Sequence, residues 1–159
     1  MRTSTSSNPS IPVDQEKLAR FAAEQAQRVF GKLPLLGPVT WLMMNQSHTR
    51  HVFLADLEWR VMPPLVLEQA KVFMNGVMPT CFASWAFLSE EAVARYRQPP
   101  HRLAPADWKS GDKVFLVDLV APYGGAREVL DDLKRTVLAS RTVHQITSTD
   151  AEVVQVVAL

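Results

Sequence analysis

Residues 114–121 read VFLVDLVA, a run of strand length that is apolar at nearly every position. A strand that is apolar on both faces is typical of the centre of a sheet, where other layers cover each face. Pro122-Tyr123-Gly124-Gly125 ends the run, and an amphipathic helix is predicted to follow over residues 126–139. This stretch therefore predicts the central strand of a layered α/β structure.

Segments on either side of this strand predict a mixed sheet with helices. Asn75-Gly76 separates two β-prone runs, which is the strongest short-range sign of a hairpin. Ser89, followed by two glutamates, predicts the start of a helix. Residues 141–146 and 153–157 predict two closing strands. The combination indicates a mixed α/β layer structure that contains an antiparallel hairpin.

The first part of the chain predicts a tail, a helix and a short strand. Residues 1–13 are polar and lack the apolar centre of a secretory signal, so they are predicted to be disordered. Asp14 can cap a helix that Gly31 would end, and residues 35–44 then predict a strand. Residues 14–159 are accordingly expected to form one domain.

Composition excludes several classes of protein. With 159 residues and a formal net charge of +1, the chain lacks the positive excess of a general nucleic-acid binder. Its one cysteine, Cys81, has no partner for an internal disulfide, and there is no Cys and His cluster for a metal. No apolar run reaches the length of a bilayer crossing, so we expect a cytoplasmic protein without a transmembrane segment.

Asp118 is the residue that the pattern alone singles out. It interrupts the apolar run of the central strand, where a carboxylate is expected to be buried. A buried charge without a partner is strongly unfavourable, so Asp118 either has a partner or serves a chemical task. A structural ion pair and a catalytic carboxylate both remain open at this point.

Two histidines and two glycines are the other candidates. His48 and His51 lie in one polar break, and a histidine beside a carboxylate forms a base with an orienting group. Gly124 and Gly125 precede a helix whose free backbone N–H groups suit a phosphate. A plain strand-to-helix turn accounts for the same glycines.

Five short segments follow one another in an order that is more specific than any one motif. They are GPVTWL from Gly37, FLADLEW from Phe53 with the Pro63-Pro64 that follows, ASWAFLS from Ala83, DWKSGD from Asp107 and VDLVAPYG from Val117. Together they resemble the toxin-activating lysine acyltransferases, the activator partners of RTX toxins. The resemblance implies a GNAT-like acyltransferase fold, with a mixed, mostly antiparallel sheet flanked by helices, and a homodimer.

The resemblance also implies an activity. A fatty acyl group would pass from the phosphopantetheine thioester of acyl carrier protein to the ε-amine of an internal lysine of an RTX protoxin. No tightly bound cofactor is implied. A His and an Asp are the implied catalytic pair, and the Asp that precedes Ala-Pro in this family falls on Asp118. Gly124-Gly125 would meet the pantetheine phosphate.

The position of the family's histidine leaves alternatives open. A gapless alignment puts Thr49 before Arg50, where the family has its histidine, with His48 one position earlier and His51 just after. Threonine is a poor base at neutral pH, so His48 or His51 serves instead, or the chain is an impaired member that only binds carrier protein or toxin. An acyltransferase with another amine acceptor, and an interaction domain with a structural Asp118, are further alternatives.

Overall fold

The structure, a computed structural model, describes residues 13–148 and 154–159. It consists of two units, one that ends at Gly31 and one that covers Lys32–Leu159. The predicted tail, residues 1–13, lies outside the described residues except for Val13, where the first helix begins. The single domain predicted over residues 14–159 stays a prediction. All candidate site residues belong to the second unit.

Helices and strands succeed one another in a mixed order. The helices are α1 (Val13–Met44), α2 (Leu57–Arg60), α3 (Met62–Val66), α4 (Glu90–Tyr96) and α5 (Ala126–Arg135), with a 3-10 turn at Leu54–Asp56 before α2. The strands are β1 (Ala70–Asn75), β2 (Met78–Leu88), β3 (Lys113–Val120), β4 (Val143–Ser148) and β5 (Val154–Ala158). They form one sheet in the order β1-β2-β3-β4-β5, antiparallel except for the β3–β4 pair. The predicted mixed, mostly antiparallel sheet is confirmed.

Helices cover both faces of the sheet, as the apolar sequence of β3 predicts. Neighbouring residues of a strand point to opposite faces. Phe82 of β2 packs with Leu42 of α1, whereas the next residue, Ala83, packs with Leu133 of α5. The core therefore has one layer on each side of the sheet, and β3 lies at its centre.

Two local predictions are confirmed because the turn chemistry and the tertiary structure agree. β1 ends at Asn75, and Gly76 has a φ of 59°, a value that favours glycine in a hairpin turn. Ser89 caps α4, and its Oγ accepts a hydrogen bond from the Ala92 amide at 3.2 Å.

The strand predicted over residues 35–44 is wrong. These residues form the last part of α1, beyond the helix end predicted at Gly31 and through Pro38. An interior proline costs a helix about 3 kcal/mol. Val39 and Leu42 lie three residues apart and are both 0% exposed. Burial of this helical face therefore outweighs the proline signal.

A bulge at Val117 determines which face of the sheet Asp118 meets. Trp85 is opposite Leu116 and Ser84 is opposite Asp118, so Val117 is the extra residue of β3. Strict alternation would put Asp118 on the face of Leu116, which packs against α5. The bulge directs it to the other face, where α2 lies.

The two parallel strands diverge beside this bulge. Val114–Leu116 of β3 pairs with Val143–Gln145 of β4, and β3 then continues alone on that side to Val120. Within the described residues, the end of β3 therefore has backbone groups on the β4 side that no strand pairs. The β4 side of β3 is thus unpaired next to Asp118.

Candidate active site

Asp118 is buried and is bound by a guanidinium group. Its side chain is 2% exposed, and Arg60 at the end of α2 contacts both carboxylate oxygens. Arg60 Nε lies 2.9 Å from Oδ2, and Nη2 lies 2.6 Å from Oδ1. A two-point pair of this kind fixes direction as well as distance. The structure thus supplies the partner that the burial of Asp118 requires.

Tyr96 of α4 extends this cluster. Burial raises the pKa of Tyr96 to about 12, the charge of Asp118 adds to the rise, and Arg60 opposes it. Desolvation lowers the pKa of Arg60, but its hydrogen bond to Asp118 and the charge of that carboxylate reverse the direction, so the net change is upward. Near neutral pH the cluster holds a neutral phenol beside a guanidinium–carboxylate pair.

Ser84 lies opposite Asp118 on the neighbouring strand. It is 0% exposed, and its Oγ has no hydrogen-bond partner among the described residues. A buried hydroxyl without a partner costs about 1–3 kcal/mol. Ser84 therefore adds an unused polar atom beside the ion pair.

Gln46 connects one candidate base to the end of β3. Its Oε1 accepts a hydrogen bond from the Ala121 amide at 3.0 Å, and its Nε2 donates to His48 Nδ1 at 3.3 Å. Because the backbone amide can only donate, the orientation of the Gln46 side chain is fixed. His48 Nδ1 is then the acceptor, and the neutral ring carries its proton on Nε2. His48 is thereby tied to the strand end that follows Asp118.

Thr49, which follows His48 in the loop after α1, has a structural role. It is 2% exposed, and its Oγ1 donates to the Met43 carbonyl at 2.8 Å. This bond satisfies a carbonyl at the end of α1, which the helix itself leaves free. With Thr49 on the inner side of the loop, His48 and His51 are on the exposed side. Neither histidine is a hydrogen-bond partner of Asp118, whose carboxylate is bound by Arg60.

The other two histidines are engaged in the fold. His101 Nδ1 donates to the Tyr96 carbonyl at 3.0 Å. His144 Nδ1 donates to the Val114 carbonyl at 3.2 Å, and its ring stacks on Phe115. His48 and His51 are therefore the histidines with side chains that are accessible to a substrate.

The two glycines form the turn between β3 and α5. Gly124 and Gly125 have φ values of 90° and 82°, and Gly125 is the N-cap of α5. The backbone N–H groups at this helix start favour an anion. The negative charge of Glu128 disfavours an anion at this position, because its carboxylate lies 4.0 Å from where a Cβ on Gly125 would be. The turn is open to a ligand, but its charge is mixed.

The structure places most of the predicted residues at one end of β3, whereas His51 has no hydrogen bond to that strand end within the described residues. Asp118 lies in that strand, His48 is tied to it through Gln46, and the two glycines follow it. Sequence reasoning missed Arg60, Gln46 and Tyr96. The available signal for Arg60 was its place in a helical apolar run, where a charged side chain needs an acidic partner.

A sheet with a diverging parallel pair, and a carboxylate and an imidazole near the end of one of those strands, is compatible with an acyltransferase of GNAT-like fold. Comparison with known proteins gives the particular family. The RTX toxin acyltransferase family, HlyC, matches residues 28–158. The chain belongs to this family, and the prediction from the five sequence segments is confirmed.

Curated relatives carry names that agree with this assignment. Leukotoxin-activating lysine-acyltransferase LktC of a Pasteurella haemolytica-like species is 31% identical over 114 residues, which are 72% of this chain and 69% of the relative. Lysine-acyltransferase RtxC of Vibrio cholerae is 31% identical over 120 residues, 75% and 74% of the two chains. Protein-lysine myristoyltransferase RtxC of Kingella kingae is 30% identical over 93 residues, and the match spans 58% of this chain and 56% of that relative.

Proposed function

We propose that this protein transfers a fatty acyl group from the pantetheine thioester of acyl carrier protein to the ε-amine of an internal lysine of an RTX-type protoxin. Family membership supports lysine acylation, since the relatives are named for it. The observation that carries the proposal is the link from His48 through Gln46 to the end of the strand that holds Asp118.

The unpaired side of β3 beyond Leu116 supports a donor with a pantetheine arm. The amide groups of pantetheine can hydrogen-bond to strand backbone that has no other partner. Such backbone lies beyond Leu116, where β4 no longer pairs with β3. In this arrangement the Gly124-Gly125 turn is next to the phosphate. The carrier protein brings its own pantetheine, so the proposal includes no tightly bound cofactor.

The reaction is an acyl transfer in which His48 handles the proton. The neutral lysine amine attacks the thioester carbonyl carbon, and a C–N bond forms. Collapse of the oxyanion breaks the C–S bond and releases the thiolate of the carrier protein. His48 accepts the proton lost by the amine at Nδ1 and returns it to the thiolate. Its ring is exposed, so it can turn away from Gln46 to do so.

Asp118 acts from a fixed position in this mechanism. Its carboxylate, held by Arg60, lies in the strand to which His48 is tied, and a nearby negative charge favours the imidazolium form. The bidentate pair keeps that charge in one place during turnover. Arg60 is therefore a positioning residue, and His48 is the catalytic base.

The reaction is proposed to take place in the cytoplasm, with the enzyme as a homodimer. None of the helices within residues 13–148 has the length and apolarity that a bilayer crossing needs. β1 is an edge strand that exposes Met74 (49%), and the turn after it exposes Val77 (97%), so a second copy can cover this surface. Sedimentation velocity tests this: a species of twice the chain mass supports the dimer, and a monomer at micromolar concentration contradicts it.

The activity is tested by transfer from palmitoyl-loaded carrier protein to an RTX protoxin fragment, read by intact mass. Loss of a general base lowers the rate about 10²–10⁴-fold, so His48→Ala is expected to fall in this range. His51→Ala, the matched control in the same loop, should keep most of the activity. The reverse pattern would make His51 the base. Carrier binding without any transfer by the native chain would establish the impaired member.

The same assay separates two donors and two roles of Asp118. Palmitoyl-CoA in parallel should support slower transfer than the loaded carrier protein, and equal rates would contradict a carrier-specific donor. Asp118→Asn keeps the shape and removes the charge. It should abolish transfer, whereas a lowered stability with unchanged transfer would make Asp118 purely structural.

A further inference from the structure

An apolar groove lies beside the loop that carries the candidate bases. It has a volume of about 160 Å³ and runs between the end of α1 and the start of α2. Its lining includes Thr40, Met44, Thr49, Arg50, Phe53 and Leu54. Three of these side chains are largely exposed, with Met44 at 62%, Phe53 at 75% and Leu54 at 83%. We refer to it as the loop groove.

We propose that the loop groove binds the hydrocarbon chain of the acyl donor and so determines which chain lengths are transferred. This inference rests on the proposed function and adds a subsite to it. Thr49 and Arg50 line the groove and are the residues that separate His48 from His51. The groove thus begins one residue from each candidate base, which is close enough for a chain whose thioester lies at either imidazole to reach it.

Charge argues against the acceptor lysine as the occupant. Among the described residues that line the groove, Arg50 is the only ionisable one. A guanidinium repels the ammonium of a lysine, and no carboxylate in the lining offsets it. A hydrocarbon chain needs no counter-charge, and each methylene that it buries favours binding.

Size argues against a segment of another protein. An α-helix with its side chains is about 10 Å across, so a groove of about 160 Å³ admits single side chains of a helix and not the helix itself. A linear chain fits a narrow groove. Met43 and Met44 line its wall, and methionine adapts to chains of variable shape because its side chain is unbranched and flexible.

A second apolar groove provides the comparison. It is lined by Gly37, Pro38, Trp41, Met78 and Pro79 and has a volume of about 480 Å³. None of the residues between α1 and α2 lines it. It is therefore a comparison surface, an apolar groove of the same protein that is lined by no residue of the loop that carries the candidate bases.

The test fills each groove in turn. Thr40→Trp places a large ring in the loop groove, and Met78→Trp places the same ring in the second groove. The probe is cis-parinaric acid, a fluorescent fatty acid, displaced by palmitate. We expect the native chain to bind it, Thr40→Trp to weaken binding by about tenfold or more, and Met78→Trp to change it by less than about twofold. Circular dichroism verifies folding, and Met44→Glu, at the exposed rim, is a second variant with the same expected loss.

Three outcomes would overturn the assignment: no binding by the native chain, equal binding by Thr40→Trp and Met44→Glu, or a loss in Met78→Trp as large as in Thr40→Trp. Transfer gives an independent readout, because Thr40→Trp should lose palmitoyl transfer and keep butanoyl transfer. If the native chain transfers neither chain while probe binding follows the expected pattern, the proposed function fails and the groove remains a hydrocarbon-binding site without a role in transfer.

Discussion

The contribution of the Arg60–Asp118 ion pair to the free energy of unfolding can be measured by substituting Arg60. Arg60→Met leaves a buried carboxylate without its partner and should lower the free energy of unfolding by about 3–5 kcal/mol. Arg60→Lys keeps the charge but cannot contact both oxygens in one plane, so we expect a smaller loss, about 1–2 kcal/mol. Urea denaturation measures both. Equal stability of Arg60→Met and the native chain would contradict the pair's structural role.

Gln46 controls the proton position on His48, and its substitution tests that control. Gln46→Glu keeps an acceptor for the Ala121 amide and gives His48 Nδ1 an acceptor as well, so the free nitrogen becomes Nε2. We expect a several-fold faster transfer above neutral pH. Gln46→Leu removes both contacts and should slow transfer several-fold. Initial rates over a pH series give the answer, and identical profiles for the two variants would exclude this role of Gln46.

Tyr96 makes stability depend on alkaline pH. Burial raises the pKa of Tyr96 from 10.0 to about 12, so the folded state holds the phenolic proton more tightly than the unfolded state. The stabilisation of the folded state that results from this raised pKa is fully present below pH 10 and is lost as the pH rises from about 10 to about 12. Tyr96→Phe should flatten this part of the pH dependence of the free energy of unfolding. A slope as steep as that of the native chain would refute the assignment.

At the scale of elements, the connection between α4 and β3 depends on a close approach at Gly111. A Cβ there would lie 2.5 Å from the Leu88 carbonyl oxygen and 2.6 Å from Ser89 Cα. Gly111→Ala should therefore lower the free energy of unfolding by about 1–3 kcal/mol. Gly31→Ala in α1, where nothing lies within 4 Å, should instead raise it by about 0.5–1 kcal/mol. Thermal or urea unfolding compares the two, and a neutral Gly111→Ala would contradict the close approach.

The elements that sequence alone predicts are those whose local signals agree with their packing. The hairpin at Asn75-Gly76, the Ser89 cap and the apolar β3 belong here. The last part of α1 is not among them. Its prolines locally favour the end of a helix, and only the burial of Val39 against the sheet outweighs this signal. Local signals are outweighed wherever a long-range contact is worth more.

The residues of the site likewise divide into those that the sequence reveals and those that only the fold brings together. Asp118 can be found because a charge in an apolar strand is anomalous wherever the strand packs. Its partner Arg60 is 58 residues away, and their meeting depends on the bulge at Val117 and on the packing of α2. Neither is visible as a pattern. The burial of Thr49, which leaves His48 exposed, is likewise a product of how α1 ends.

At the scale of the whole molecule, the reaction rate of the one cysteine measures how often the protein unfolds. Cys81 is 1% exposed, and burial raises its pKa to about 11, so its thiolate is scarce near neutral pH. Its reaction with a soluble disulfide reagent should be about 100-fold slower in the native protein than in urea. The labelling rate should follow the unfolding transition. Fast labelling without denaturant would show that β2 opens locally.

The DWKSGD connection has a further consequence for the molecule in a crowded solution. β1 pairs with β2 as far as Ser84, and beyond it Phe87 bonds on that side to Trp108, Ser110 and Gly111. This connection therefore occupies a strand edge that would otherwise be free to pair with another chain. A variant in which it detaches would accumulate as insoluble aggregate before any effect on acyl transfer could be measured. We therefore expect the segment that helps to identify the family also to limit aggregation.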